Sequence, residues 1–396
     1  MAEDAFEIMY QDNSAVSGSY VNDTVNIGDT AIKGLTLGIA SSADRPLGIM
    51  GIGYALGESI VQNQDFEPYP NIIDQLKAQD LISTNAYSLW LNDLESDTGS
   101  ILFSGVDTTK YTGSLTALPI QKDSNNSYSD FTVALTSLTF TDAKSNTPYA
   151  QTDLALPVIL DSGTTFTYLP DTIANDLARG VGAIDDPIAG LVIPCKFATS
   201  KAKITFTFGN KDNGPAIAIP LDQFITPLTS PDGSTPKFRD GSGDVCAFGI
   251  LPSGGPDQPL LLGDTFLRSA YVVYDLQNNE IAIAQTVFNV SKTDVREITD
   301  ETDGNGDGKA GGIPNVRATA SGVAVTQSYT GIPLQTAERT REGGARVTAD
   351  VGRPTFDLGV EGAAGVGRVA SVPGVLAAVG VVVVAGVVVG GGLVFW

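Results

Sequence analysis

The chain has 396 residues, enough for two domains or one large β unit with a full core. Its 44 Gly and 21 Pro, with abundant Thr, Ser and Val, favour strands and turns over long helices, and its net charge of −22 argues against nucleic acid or anionic lipid as a partner. The absence of His excludes Ser-His-Asp and Cys-His nucleophile machinery and every His-ligated metal site, so carboxylates remain as the acid–base groups and no metal or cofactor is expected.

The charge is uneven. Residues 1–291 carry 14 basic and 34 acidic side chains, a net −20, whereas residues 292–396 carry 9 and 11, a net −2. The folded part is therefore expected to be the acidic part, which suits work in acid, where many carboxylates are protonated, and suits ordinary solubility equally.

Met1–Tyr10 has neither a basic stretch nor an apolar run, so no signal peptide is read there. Phe6, Ile8 and Tyr10 alternate, Gln11–Ser14 turns, and a second strand is predicted over Tyr20–Ile27 before Gly28-Asp29. Gly48–Gly53 pairs apolar residues with glycines but lacks the spacing of a dinucleotide loop. Asn71–Leu81 has helical spacing behind an Asn cap. Strands are predicted at Ala86–Leu91, Gly99–Gly105, Thr132–Phe140, Lys203–Phe208, Leu260–Leu262 and Tyr271–Tyr274. Short strands at such regular intervals indicate an all-β sandwich or barrel.

The stretch with chemistry is Val158-Ile-Leu-Asp-Ser-Gly-Thr-Thr-Phe-Thr-Tyr-Leu169. An apolar run delivers Asp161 to the end of a buried strand, a costly place for a charge unless donors or a function hold it there. Ser162, Gly163, Thr164 and Thr165 offer such donors. The plain alternative is a strand-end turn capped by Asp. Asp97-Thr98-Gly99 spells a related triplet, yet it follows the polar Leu94-Glu-Ser and reads as a surface hairpin turn.

Cys195 and Cys246 are too few for a disulfide scaffold or a zinc site. They are either a disulfide or two free buried thiols. The sequons at Asn22, Asn125 and Asn289 and the C-terminal tail favour the oxidised pair, because they point to a secretory route.

With these pieces placed, the chain resembles the pepsin-like aspartic proteases, in detail the fungal, yapsin-like secreted members. The matches run in order over about residues 6–290. Tyr10 resembles the flap tyrosine, Gly48–Tyr54 the glycine-rich strand of the N-terminal lobe, and Asp97–Ser114 the hairpin before the lobe junction. Leu160–Leu169 is similar to the catalytic loop of the C-terminal lobe, and Leu261–Arg268 with Tyr271–Asp275 to its closing strand; Cys195 and Cys246 fall where that lobe carries a disulfide. The resemblance implies an all-β, bilobal pepsin-like fold. It implies Asp161 as one member of a catalytic pair, Thr164 hydrogen-bonding near it, and Ser162 and Gly163 as the supporting turn. Tyr10, Asp12, Gly163, Thr164 and Thr165 become candidate substrate-binding residues, and an acid at Asp12 goes in some relatives with acceptance of Lys or Arg beside the scissile bond; a solvated turn aspartate is the plain alternative.

The family uses two such loops, and the first precedes the flap. Because the flap-like segment begins at residue 6, the chain is expected to lack the first loop and to have an incomplete N-terminal lobe. The expected division is 1–118 for the rest of that lobe, 119–291 for the C-terminal lobe, 292–368 for a disordered Gly/Thr/Ala-rich stalk and 369–396 for a hydrophobic tail. In the stalk, Asp303–Gly308 imitates the opening of an EF-hand loop, but Pro314 stands where the bidentate Glu belongs. The tail has no charged residue; small residues at Gly362-Ala-Ala-Gly365 before it fit a GPI-attachment signal, with a plain transmembrane helix as the other reading. The expectation is a monomeric, surface-anchored aspartic endopeptidase acting on protein or peptide substrates. The alternatives are a catalytically inactive pepsin-fold binding protein and, less consistent with the residues present, a dimer sharing two copies of Asp161.

Overall fold

The computed structural model describes residues 6–9, 14–44, 48–58, 60–61, 67–186, 189–210, 214–230, 233–238, 243–299, 312–320 and 354–360. They fall into two compact units. Among the described residues, the first unit comprises those within 6–133 and 270–320; the second comprises those within 134–269 and 354–360. The division is not linear in sequence, since Ala270–Asp275 and Glu280–Gln285 pair within the first unit.

The first unit is built on a six-stranded sheet in the order Val316–Thr319, Leu115–Pro119, Glu280–Gln285, Ala270–Asp275, Ala86–Trp90, Ser100–Phe103. All five residues of Ala86–Trp90 are buried, as expected for a strand covered on both faces. Trp90, Tyr111, Leu115, Tyr271 and Val273 form its core with Ile298. The same unit carries an antiparallel sheet of Phe6–Met9, Ala15–Ile27 and Thr30–Ala43. Ile27 pairs with Thr30 across a two-residue turn whose first residue, Gly28, has φ 56°, the conformation a primed hairpin turn demands. The predicted helix is present over Ile72–Ala78. Asn71 Oδ1 accepts from Ile73 N and Asp74 N while Asp74 Oδ2 accepts from Asn71 N, a reciprocal capping box, and Ile72, Ile73 and Leu76 are buried.

Two expectations need correction in this unit. Gly48–Tyr54 forms no strand; it ties to the helix through Gly53 O, which accepts from the cap residue Asn71 Nδ2 at 2.6 Å. The stretch from 292, expected as stalk, also contains two strands. Val295–Glu297 pairs with Gly105–Asp107, and Val316–Thr319 pairs in parallel with Leu115–Pro119. The reason is tertiary: Ile298 and Ala320 are fully buried, Ser104 Oγ donates to Ile298 O at 2.9 Å, and the buried Asp107 Oδ1 accepts from Asp294 N at 2.9 Å.

The second unit contains an eight-stranded sheet whose main path is Ala216–Pro220, Lys203–Phe208, Thr132–Thr141, Leu156–Leu160, Leu260–Leu262, Thr167–Leu169 and Ile250–Pro252, with Tyr149–Gln151 paired to Thr132–Thr141. A four-stranded sheet runs Ile184–Asp186, Gly190–Pro194, Val245–Phe248, Ile225–Pro227. The cysteines are a disulfide, Cys195–Cys246, with Cα atoms 5.0 Å apart. Helix Asp171–Val181 was not predicted, although Ile173, Leu177 and Val181, all buried, carry the helical spacing.

Candidate functional site

Strand Leu156–Leu160 delivers Asp161. It runs parallel to Leu260–Leu262, with Leu160 opposite Leu262, and Asp161 N continues the ladder by donating to Leu262 O at 3.1 Å. After the turn, Thr167–Leu169 returns on the other side of the same strand, Thr167 opposite Leu262. One short strand therefore holds both ends of the 161–166 loop, so the aspartate's position is set by two backbone ladders.

Within the loop the carboxylate is bound at both oxygens. Asp161 Oδ1 accepts from Gly163 N at 2.8 Å and Oδ2 accepts from Thr164 Oγ1 at 2.6 Å; Asp161 O accepts from Thr164 N at 3.3 Å. Charge-assisted bonds of this kind are the strong ones, and two of them fix the plane of the carboxylate. A Cβ added at Gly163 would sit 3.1 Å from Asp161 Oδ1, so a side chain here would crowd the carboxylate that its N–H holds. The strand buries Leu156, Val158 and Leu160 while Pro157 is exposed, and the acid itself is half-exposed: Asp161, Ser162, Thr164 and Thr165 lie at an accessible edge and Gly163 is exposed. An acceptor-only group held by two donors and open to water can position a water molecule and exchange a proton with it.

The floor of the loop is a segment that sequence reasoning did not single out for chemistry. Thr164 O accepts from Asp264 N at 2.8 Å, Thr165 O accepts from Thr265 N at 3.1 Å, and the hydroxyls of Thr167 and Thr265 lie 3.0 Å apart in the interior. Gly263 is obligatory, because a Cβ there would run into the carbonyl oxygens of Thr164 and Phe166. Asp264 is 2% exposed and its Oδ1 has no hydrogen-bond partner among the described residues. Burial pushes its carboxyl up to about 7; the nearby Arg268 opposes the shift and the charge of Asp161 adds to it. A sequence signal was available, an Asp one glycine beyond the apolar Leu260-Leu-Leu262, close to the pattern that marks Asp161.

Tyr10 and Asp12 lie outside the described residues, as do Asp303–Gly308 and the 369–396 tail. Asp97 is exposed in the connection between Ala86–Trp90 and Ser100–Phe103, with Thr98 N donating to Ser96 Oγ, as a surface hairpin turn predicts. Asn22, Asn125 and Asn289 are exposed. Asn22 lies on a strand with its side-chain N–H donating to Gly34 O, Asn125 lies in a turn organised by Asp123, and Asn289 has φ 56° and donates its backbone N–H to Asn92 Oδ1.

The family model described as eukaryotic aspartyl protease matches residues 1–286. The chain is 44% identical over 294 residues to a probable aspartic-type endopeptidase, opsB, of Aspergillus fumigatus, covering 74% of this chain and 58% of that protein. It is 36% identical over 290 residues to secreted aspartic protease 8 of Candida albicans, covering 73% of this chain and 61% of that one. The chain thus spans about three fifths of the length of each relative. In fold it is similar to the crystal structure of the aspartic proteinase from Irpex lacteus, with a TM-score of 0.56 at 23% identity over 73% of this chain and 83% of that chain. On the extent of the family match, and with an all-β pepsin-like fold beneath it, the chain belongs to the eukaryotic aspartyl protease family.

Proposed function

We propose that the chain acts as an aspartic endopeptidase on protein and peptide substrates, with Asp161 as one carboxyl of the reacting pair. The setting of Asp161 carries this reading: a half-exposed carboxylate at the end of a buried strand, each oxygen held by one donor from its own turn. In this reaction two carboxyl groups a few ångströms apart cannot both ionise; one removes a proton from water as the other donates a proton to the peptide carbonyl. Gly163 N–H and Thr164 O–H orient Asp161 and leave its remaining lone pairs for that water. The test is cleavage of a denatured protein at acid pH by the purified chain. The expected result is pepstatin-sensitive hydrolysis that Asp161→Asn abolishes.

A second reading is favoured by one observation. Among the described residues Asp161 is the Asp-Ser/Thr-Gly aspartate that stands at the end of a buried strand, whereas Asp97 occupies a hairpin connection. A lone carboxyl lacks the split protonation that the chemistry needs, and the chain would then be a pepsin-fold protein that binds peptides or wall material without cutting them. Pepstatin-insensitive, inert material in the cleavage assay selects this reading.

The proposed location is the cell surface. Three features support it: a disulfide, which persists in oxidising compartments; three exposed sequon asparagines, Asn22, Asn125 and Asn289, proposed as N-glycosylation sites; and an uncharged apolar C-terminus after Gly362-Ala-Ala-Gly365, proposed as a GPI-attachment signal.

A further inference from the structure

Residues 354–360 lie beyond the family match, which ends at 286, in a stretch whose composition reads as stalk. They are nonetheless docked on the second unit. Phe356 N donates to Gly180 O at 3.0 Å, Ala143 N donates to Asp357 O at 2.9 Å, and Ser200 Oγ donates to Leu358 O at 2.7 Å. Lys144 Nζ pairs with the Asp357 carboxylate, and Asp357 Oδ1 also accepts from Gly359 N at 2.9 Å. The ring of Phe356 packs on Phe140 with centroids 4.4 Å apart and on Tyr149 at 6.3 Å, and Leu358 is 3% exposed.

The body is shaped for this segment. Gly180 occupies the last turn of helix Asp171–Val181, where Gly costs about 1 kcal/mol relative to Ala. It does not adopt a positive φ that would call for glycine. What it does is leave room: a Cβ at Gly180 would run into the Phe356 ring, and one at Gly182 would sit 2.8 Å from Pro354. Phe140 is fully buried under the segment. A helix residue chosen against propensity, an aromatic floor and three main-chain bonds together have the composition of a peptide-recognition site with an aromatic anchor.

We infer that the groove formed by Phe140, Ala143, Lys144, Tyr149, Gly180 and Ser200 is a peptide-binding site whose resident ligand is the chain's own Pro354–Val360 segment. The ligand class is an extended peptide with the order Pro-x-aromatic-Asp-aliphatic-Gly. The carbonyls of Asp357 and Leu358 and the amide of Phe356 give register, Phe356 and Leu358 supply apolar contact, and the exposed Lys144–Asp357 pair adds little. Held in one chain, the segment binds at high effective concentration. The groove keeps it in place when the covalent connection through 321–353 is interrupted, so that whatever follows residue 360 stays with the folded body.

The test uses the full chain with one site-specific protease sequence inserted within 321–353 and a tag at the C-terminus. After cutting in mild detergent, the body and the C-terminal fragment are separated by affinity capture. The fragment is expected to retain the body, and a synthetic peptide of residues 353–361 to displace it. Phe356→Ala, outside the family domain, and Gly180→Ala, which favours the helix while filling the slot, are each expected to lower retention at least tenfold, whereas Lys144→Ala changes it less than threefold. The inference is overturned if the cut wild-type fragment separates freely, or if both variants retain the body as the wild type does. Neither readout involves peptide hydrolysis or membrane attachment, so its failure is distinct from failure of the proposed function.

Discussion

Asp264→Asn isolates the electrostatics beneath the Asp161 loop. Asp264 is 2% exposed, and its carboxyl, ordinarily near 3.8, is pushed up to about 7 by burial, with Arg268 opposing and Asp161 adding. The folded-state value is raised, so the folded chain binds the proton more tightly than the unfolded chain. Its contribution is fully present below about pH 4 and is lost as pH rises toward 7, because the unfolded state releases a proton that the folded state keeps. The move from 3.8 to about 7 corresponds to about 4 kcal/mol of stability lost over that window. With a urea slope of about 2 kcal/mol per molar, the midpoint of the second unit falls by about 2 M relative to its acid value. In Asp264→Asn this pH dependence disappears. The assay is urea unfolding of wild type and variant at intervals from pH 3.5 to 8, with the disulfide intact, read as the difference between the two midpoints. Below pH 4 the difference is constant, since wild-type Asp264 is neutral there, and above it the variant gains steadily. A difference that stays flat across the range, or a wild type that gains on the variant as pH rises, refutes the reasoning.

Thr164→Val removes the hydroxyl that donates to Asp161 Oδ2 at 2.6 Å; losing a hydrogen bond to a charged group costs about 1.5–3 kcal/mol, so the proposed activity against a denatured protein is expected to fall roughly 10- to 100-fold with the fold intact. Gly263→Ala drives a methyl into the carbonyl oxygens of Thr164 and Phe166 and lowers stability by at least about 2 kcal/mol, checked by thermal unfolding. Replacing Cys195 and Cys246 by Ser opens a loop closed over a separation of 51 residues and lowers the stability of the second unit by about 4 kcal/mol, measured by denaturant unfolding under non-reducing conditions. Asn71→Ala removes the Oδ1 that accepts from Ile73 N and Asp74 N, the side-chain half of the capping box before Ile72–Ala78, and costs about 1 kcal/mol, seen as faster hydrogen exchange in that helix.

Much of the architecture was legible locally. Strands at Lys203–Phe208 and Leu260–Leu262, the capped helix after Asn71 and the turn at Asp161 were all read from alternation, cap chemistry and an apolar run ending in an acid. Those signals work because each depends on neighbours a few residues away. The misses have a common cause in the other direction. Val295–Glu297 and Val316–Thr319 are polar or mixed stretches that become strands because Gly105–Asp107 and Leu115–Pro119 offer them open edges, and residues 354–360 are held by Gly180 and Phe140 far away in sequence.

The sequence by itself determined which residue types could carry acid–base chemistry, since a chain without His leaves carboxylates, and it marked Asp161, delivered to a Ser-Gly-Thr-Thr turn, as the candidate among them. Only the tertiary structure decided how that acid is held. Its oxygens are satisfied by its own turn, which local sequence foretells, but the turn is fixed by Leu260–Leu262 and floored by Asp264, a hundred residues downstream. A hydrogen-bond ladder and the desolvation of a buried carboxyl depend on what the fold brings alongside, and no window of neighbouring residues contains that information.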